Sequence, residues 1–189
     1  MQRIRQNTAA HCGPAVLEML TSYINFPIDQ DEFVKILGIG KKIHTHGMTI
    51  KEMSLALKNL APNLSFWYKN NSQLEDIKTL IKTHYYPVGI EWQGVFYEDS
   101  DGDDGHYSIV THLDEENSII HISDPYRRFA GTDRLFHTNE FVGRWWDTNE
   151  ITNEGRGTGQ YFKDYHMIFI VTPADEIFPD SLGMKKSAD

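Results

Sequence analysis

Cysteine is almost absent from this sequence, because Cys12 is the only one in the chain. A single cysteine excludes an internal disulfide, so no residue pattern indicates an oxidising compartment. There is also no run of about 18 apolar residues, which excludes a predicted transmembrane helix. The first residues lack the apolar stretch of a secretory signal. A cytoplasmic location is therefore expected, and secretion stays open if a signal was removed.

Positive charge is also scarce: 18 Lys and Arg against 27 Asp and Glu give a net charge of −9. Such a surface repels phosphate backbones and anionic lipids, so neither a nucleic acid nor a membrane is expected as a partner. The length of 189 residues is that of one domain with a substantial core. We expect a single domain over residues 1–178, followed by a flexible tail over 179–189.

Helical periodicity dominates the first half of the chain and strand patterns dominate the second. Helices are predicted near residues 13–24, 29–37, 49–60, 72–83 and 139–146, with capping boxes at Thr49 and Ser72. Strands are predicted near residues 64–69, 85–92, 106–113, 118–123 and 166–172. Residues 40–47, 126–134 and 151–160 are predicted as loops or polar connections. This order favours an α+β fold.

The cysteine lies where the first helix is predicted to begin. Gly13 and Pro14 follow it, and proline is tolerated in a first turn because its missing N–H would be unpaired there. A cysteine in that turn lies at the positive end of the helix dipole, which favours the thiolate over the thiol. An isolated cysteine is also commonly a small buried hydrophobe. A nucleophilic role therefore requires a base elsewhere in the chain.

A predicted hairpin supplies the candidate base. His106 begins one strand of that hairpin, and Asp124 directly follows the next strand. Because the strands of a hairpin run antiparallel, these two residues are expected at the same end and in contact. The histidine would take the thiol proton and later protonate the leaving amine, while the aspartate would fix its tautomer. Gln6 is a candidate amide donor to the developing oxyanion.

Three other patterns offer competing sites. His112 faces the same side of its strand as the candidate base, but it lies near the turn and far from the candidate aspartate. His44 and His46 form a pair in a predicted loop without a clear third metal ligand. The acidic run at 98–105 imitates the start of a calcium loop but lacks the glycine and the final glutamate in their required positions. No metal or cofactor is expected.

Four short motifs together resemble a known family. They are Gln6-x5-Cys12-Gly13-Pro14, Gly47-Met48-Thr49, Gly105-His106-Tyr107-Ser108-Ile109-Val110 and Ser123-Asp124-Pro125. In these motifs the chain is similar, over residues 4–126, to the bacteriocin-processing peptidases of the papain-like clan, which cleave double-glycine leaders. The resemblance implies a papain-like fold in which a helical half bearing the cysteine packs on an antiparallel sheet bearing the histidine and aspartate.

The resemblance also implies a role for each candidate: Cys12 as nucleophile, His106 as base, Asp124 as its orienting group and Gln6 in the oxyanion hole. Well-known members of that family are fused to membrane transporters. Here no membrane segment and no ATP-binding motif is recognised, so a stand-alone domain is expected.

The predicted function is thiol-dependent hydrolysis of bonds in a peptide or protein substrate. Two alternatives stay open. The same nucleophile could transfer an acyl group to an amine or hydrolyse an amide of a non-protein substrate, because these reactions share the acyl-enzyme. A non-catalytic peptide-binding domain is the other alternative, although all four catalytic positions are filled. The residues predict no particular oligomeric state.

Overall fold

The computed structural model describes residues 1–96, 105–153 and 156–187. Its helices are α1 (Cys12–Tyr23), α2 (Gln30–Ile36), α3 (Ile43–His46), α4 (Ile50–Leu60), α5 (Leu74–Lys82), α6 (Thr138–Arg144) and α7 (Phe178–Ser181). Its strands are β1 (Leu64–Lys69), β2 (Val88–Gln93), β3 (Gly105–Asp114), β4 (Ile119–Ser123), β5 (Asp133–His137), β6 (Trp146–Asn153), β7 (Arg156–Tyr165), β8 (Ile168–Pro173) and β9 (Lys185–Lys186). The predicted α+β class is confirmed.

One antiparallel sheet forms the centre of the molecule, with the strand order β5-β4-β3-β2-β8-β1-β9. Successive side chains of a strand point to opposite faces. Phe169 therefore packs with α1, α2 and α4 on one face, whereas Ile168 and Ile170 pack with α5 and α6 on the other. The N-terminal helices thus cover the face on which Tyr107 and Ile109 of β3 are buried.

The two helices predicted to begin with capping boxes both have them, but one box is shifted. Thr49 N–H donates to Glu52 Oε2 at 3.0 Å, and Glu52 N–H donates to Thr49 Oγ1 at 3.3 Å. The sequence predicts the second box at Ser72, but it begins at Gln73, whose N–H donates to Asp76 Oδ2 at 2.8 Å. Ser72 Oγ instead donates to a carbonyl at the end of β1. The helix begins after Gln73 because the Asp76 side chain, three positions later, accepts a hydrogen bond from the Gln73 backbone.

The largest error in the predicted elements concerns residues 151–160. They are predicted as a loop, whereas residues 151–153 belong to β6 and residues 156–160 to β7, and these two strands form a separate two-stranded ribbon. Its register begins with Trp146 opposite Tyr165 and contains an irregularity after Glu150. A ribbon with much of its surface exposed is held by backbone hydrogen bonds, so its sequence need not alternate apolar and polar residues.

Two further segments differ from the predicted pattern. The polar connection at 126–134 ends in β5, which pairs with β4 at the edge of the sheet. The segment expected to be a flexible tail contains α7 and β9 within residues 178–187. Met184 is buried in the core on the α5 side, and Lys186 lies opposite Trp67 of β1. An open strand edge and one apolar side chain suffice to attach this segment.

Candidate active site

Cys12 is the first residue of α1, and its side chain is almost fully buried. The first helical hydrogen bond runs from Ala15 N–H to the carbonyl of His11, the residue before Cys12, at 3.0 Å. A side chain at Gly13 would place its Cβ 3.4 Å from the Tyr107 ring and 3.3 Å from Met53 Sδ. The missing side chain lets the start of α1 approach β3 closely, so the thiol lies against that strand.

His106 and Asp124 lie in contact at one end of the β3–β4 hairpin. The register pairs Ile109 with Ser123, so the beginning of β3 lies beside the residues that follow β4. His106 Nε2 is 2.8 Å from Asp124 Oδ1, and both side chains are buried. Because Nε2 is bound to the aspartate, Nδ1 is the ring nitrogen left to interact with Cys12, whose thiol pKa His106 lowers.

Arg134 is a site residue that the sequence reasoning missed. Its Nη1 donates to Asp124 Oδ2 at 2.7 Å, and its Nη2 donates to the Val95 carbonyl at 2.6 Å. The guanidinium also lies over the Phe129 ring, 3.7 Å from the centroid. Tyr126 N–H donates to Asp124 Oδ1 at 2.9 Å. The aspartate is thus fixed on both oxygens, and Arg134 escaped prediction because β5 itself was not predicted.

The electrostatics of these groups favour an ion pair between thiolate and imidazolium. Burial alone would raise the pKa of the Cys12 thiol, but the hydrogen bond and charge of His106 lower it, as does the Tyr107 N–H. Burial alone would lower the pKa of His106, but the charge and hydrogen bond of Asp124, with Cys12, raise it to about 10. The pKa of Asp124 falls to about 2, although burial opposes this, because His106, Tyr126 N–H and Arg134 stabilise the carboxylate.

Gln6 is buried beside the residues that follow β4, but its side-chain amide is already engaged. Its N–H donates to the Pro125 carbonyl at 2.9 Å. Its Nε2 donates to the carbonyls of Thr8 at 2.7 Å and Ala9 at 2.9 Å. The two amide hydrogens therefore hold the turn that leads to Cys12. In this arrangement Gln6 shapes the approach to the helix, and an oxyanion would have to replace one of those carbonyls.

The competing sites lie apart from this group of residues. His112 is exposed, and its ring packs edge-on against His121 at 5.0 Å. His44 lies in α3, with its ring 6.2 Å from that of His11. Within residues 1–96, 105–153 and 156–187, no group of three or more His, Cys, Asp and Glu side chains could hold a metal ion. The acidic run at 98–104 lies outside the described residues.

None of the described helices is long and apolar enough to cross a membrane.

Comparisons with known proteins give one family and one type of fold. The model described as "Peptidase_C39 like family" matches residues 1–153. The structure is similar to the peptidase domain of Streptococcus ComA, described as a bifunctional ABC transporter involved in a quorum sensing pathway. That match has a TM-score of 0.60 and 16% identity, and covers 91% of this chain and 98% of the other. No curated protein matches the chain in sequence. The predicted papain-like arrangement of helices on an antiparallel sheet is confirmed.

Proposed function

The chain belongs to the Peptidase C39-like family, and we propose on this basis that it is a cysteine peptidase with Cys12 as its nucleophile. His106 acts as the base and Asp124 as the group that orients it. The observation that carries the proposal is the buried hydrogen bond of 2.8 Å between His106 and Asp124, formed beside the first turn of α1. Peptide hydrolysis by a thiol requires this order of groups.

The reaction begins from the thiolate of Cys12 and the imidazolium of His106. The sulfur attacks the carbonyl carbon of the scissile bond, and the carbonyl oxygen takes the negative charge. When this intermediate collapses, the C–N bond breaks and His106 Nδ1 gives its proton to the leaving amine. A water molecule then loses a proton to the same nitrogen and attacks the thioester. The C–S bond breaks, and the acid product leaves.

The oxyanion needs donors near the sulfur, and the helix start offers one. The backbone N–H of Cys12 has no acceptor within the described ranges, as is usual for the first N–H groups of a helix. This N–H is the first donor of the proposed oxyanion hole. Gln6 is the second, and it fulfils that role when one hydrogen of its amide moves from the carbonyl of Thr8 or Ala9 to the oxyanion.

Arg134 completes a row of alternating charges: thiolate, imidazolium, carboxylate and guanidinium. Its two hydrogen bonds join Asp124 to the Val95 carbonyl, which prevents the carboxylate from rotating away from His106. The carboxylate therefore stays ionised and aligned through the reaction. In this scheme Arg134 is a positioning residue, because it acts on the reacting atoms through Asp124 and His106.

The proposal is tested by incubating the protein with a defined mixture of synthetic peptides and identifying cleavage products by mass spectrometry. The wild type and His112→Ala should cleave the same peptides, because His112 is exposed and remote from Asp124. Cys12→Ala and His106→Ala should cleave none. Cleavage that persists in Cys12→Ala, or no difference between the wild type and that variant, would contradict peptidase action. Amide products formed only with added labelled amines would instead indicate acyl transfer.

A further inference from the structure

A pocket with two arginines lies beside the proposed triad. Its volume is about 210 Å³, and it is lined by Arg5, Gln6, Asn7, Thr8, Ala9, Tyr126 and Arg127. No acidic side chain is among these residues. In a chain with a net charge of −9, a pocket with two cationic and no anionic side chains is a local reversal of the overall charge.

Both walls of the pocket are hydrogen-bonded to the residues that carry the triad. On one wall, Gln6 N–H donates to the Pro125 carbonyl at 2.9 Å. On the other, Tyr126 N–H donates to Asp124 Oδ1 at 2.9 Å. The pocket therefore lies on the aspartate side of the histidine and is built into the site.

The position of His106 decides which part of a substrate would reach this pocket. The leaving amine must lie within hydrogen-bond reach of the imidazole that protonates it. A peptide that continues from this amine past the His106–Asp124 pair would reach Tyr126. Aromatic contacts connect His106 to Tyr126. The Phe96 ring packs edge-on against both, with centroid distances of 4.9 Å to His106 and 4.8 Å to Tyr126. Residues just after the scissile bond would thus face the pocket.

The two arginines of the pocket differ from the arginines that hold the fold. Arg3 pairs with Asp133 at 2.7 Å, and Arg134 pairs with Asp124. Arg5 and Arg127 are exposed and pair with no acidic side chain of the described residues. The guanidinium of Arg127 lies 6.0 Å from the centroid of the Tyr126 ring, at the pocket wall. Both side chains therefore have their full set of N–H donors available.

We propose that this pocket binds a carboxylate on the leaving segment of the substrate, either an acidic side chain or the C-terminal carboxylate. A planar guanidinium matches the two oxygens of a carboxylate and is the usual partner for it. The inference rests on the proposed peptidase function, because it assigns the leaving side from His106. It adds a substrate preference that the triad alone does not supply.

The test uses peptides with one common sequence before the scissile bond and either Glu, Gln or Lys at each of the first three positions after it. Each peptide is made as the C-terminal acid and as the amide. We expect kcat/KM for the Glu peptides or the free acids to exceed that for their neutral partners roughly fivefold to tenfold. The double variant Arg5→Ala/Arg127→Ala should abolish this difference. Arg128→Ala, which removes an exposed arginine of the same segment, is the matched control and should retain it.

This design distinguishes a side-chain carboxylate from a C-terminal carboxylate. It also distinguishes failure of the pocket proposal from failure of the proposed peptidase function. A preference that follows Glu against Gln identifies a side chain, and one that follows acid against amide identifies the C-terminus. Equal cleavage of all peptides by the wild type would overturn the pocket while leaving the peptidase intact. If nothing is cleaved, NMR titration of Cys12→Ala with the leaving-side tripeptides tests whether the pocket binds a carboxylate. Stronger binding of the carboxylate forms, lost when Arg5→Ala and Arg127→Ala are added, would support the pocket. Equal binding of the carboxylate and neutral forms would overturn it.

Discussion

Two buried carboxyl groups lie beside neighbouring residues of β3, and their pKa values are shifted in opposite directions. Asp124 contacts His106 and accepts hydrogen bonds from three groups, and its pKa is lowered to about 2. Glu91 lies opposite Tyr107 in the β2–β3 register. Burial and the nearby charge of Asp147 raise its pKa to about 8. At neutral pH the surroundings of Asp124 thus favour the carboxylate, whereas those of Glu91 favour the protonated carboxyl group.

Asp124 and Glu91 are both buried, so their neighbours, and not the depth of burial, determine the different directions of their pKa shifts. Asp124 is surrounded by cationic groups and N–H donors, so ionisation is stabilised. Glu91 is 2% exposed, and its Oε2 has no hydrogen-bond partner within the described residues. A second carboxyl group beside it disfavours another negative charge. Neighbouring residues of β3 thus contact different carboxyl groups: His106 contacts Asp124, whose surroundings favour the anion, and Tyr107 lies opposite Glu91, whose surroundings favour the protonated form.

The largest expected effect is the loss of the charge at Asp124. In Asp124→Asn, the amide can neither stabilise the imidazolium nor enforce its tautomer, so kcat/KM should fall by roughly 10³- to 10⁴-fold. Glu91→Gln, which changes the other carboxyl in the same way, should stay within about twofold. Peptide hydrolysis by the two purified variants measures this. Comparable losses in both would show that the two carboxyls do not differ as described.

The second expected effect is on the pH dependence of the free energy of unfolding, and Glu91 causes it. In the unfolded chain a glutamate titrates near about 4.3, whereas the folded chain keeps this proton up to about 8. Between these values the folded state binds one more proton, so the free energy of unfolding falls as pH rises, by at most about 1.4 kcal/mol per pH unit.

The effect of Glu91 on stability is best separated from the effects of Asp124 and His106 between roughly pH 4.5 and 6.5. Asp124 contributes stability that is lost only below that interval, as pH falls toward its lowered pKa, and His106 contributes stability that is lost above it. Urea unfolding of the wild type should show the downward slope within the interval, and Glu91→Gln should flatten it. An equal slope in both proteins would assign the effect to another group.

The third effect is that of Arg134. Arg134→Gln should lower kcat roughly 10- to 100-fold with little change in KM, because the carboxylate loses a donor and its orientation. The pKa of Asp124 should rise, so the acid limb of the kcat profile should move to higher pH. Arg134→Lys should restore part of the rate, and Arg128→Gln should resemble the wild type. A uniform loss of activity at all pH values, explained by a lower Tm alone, would contradict a positioning role.

The smallest effect is expected for Tyr107→Phe. The backbone N–H of Tyr107 lowers the pKa of Cys12, and this variant keeps that N–H. The lost hydroxyl is hydrogen-bonded to Glu91, and Cys12 acts on it only through its charge. Because the hydroxyl donates no hydrogen bond to Cys12, the value of kcat/KM should stay within about threefold of the wild type. A large loss would place the hydroxyl, and with it the Glu91 cluster, in the reaction itself.

Local patterns explain which parts of this molecule could be predicted from sequence. The contact of His106 with Asp124 follows from a short hairpin, whose strand ends must meet. The start of α1 follows from helical periodicity after Pro14. The hydrogen bonds of Arg134 depend on an edge strand with few apolar residues, which leaves no pattern to recognise. The same holds for the shifted pKa of Glu91, because Asp147 lies on a ribbon predicted as the end of a helix and a loop.

Gln6 shows a different limit. Its position before Cys12 is evident in the sequence, and in the structure it is hydrogen-bonded to Pro125, the residue after Asp124. The partners of its amide are carbonyls in the intervening turn, and backbone carbonyls carry no sequence signal. Only the folded geometry shows that both amide hydrogens are used.

The central claim is that His106 holds Cys12 as a thiolate. Because Cys12 is the only cysteine, the rate of alkylation by iodoacetamide measured against pH reports this thiol alone. We predict rapid labelling already at mildly acidic pH, with an apparent pKa well below that of a free thiol, and a large rise of that pKa in His106→Ala. Labelling of the wild type that is no faster than that of a free thiol at pH 6, and unchanged in His106→Ala, would contradict the claim.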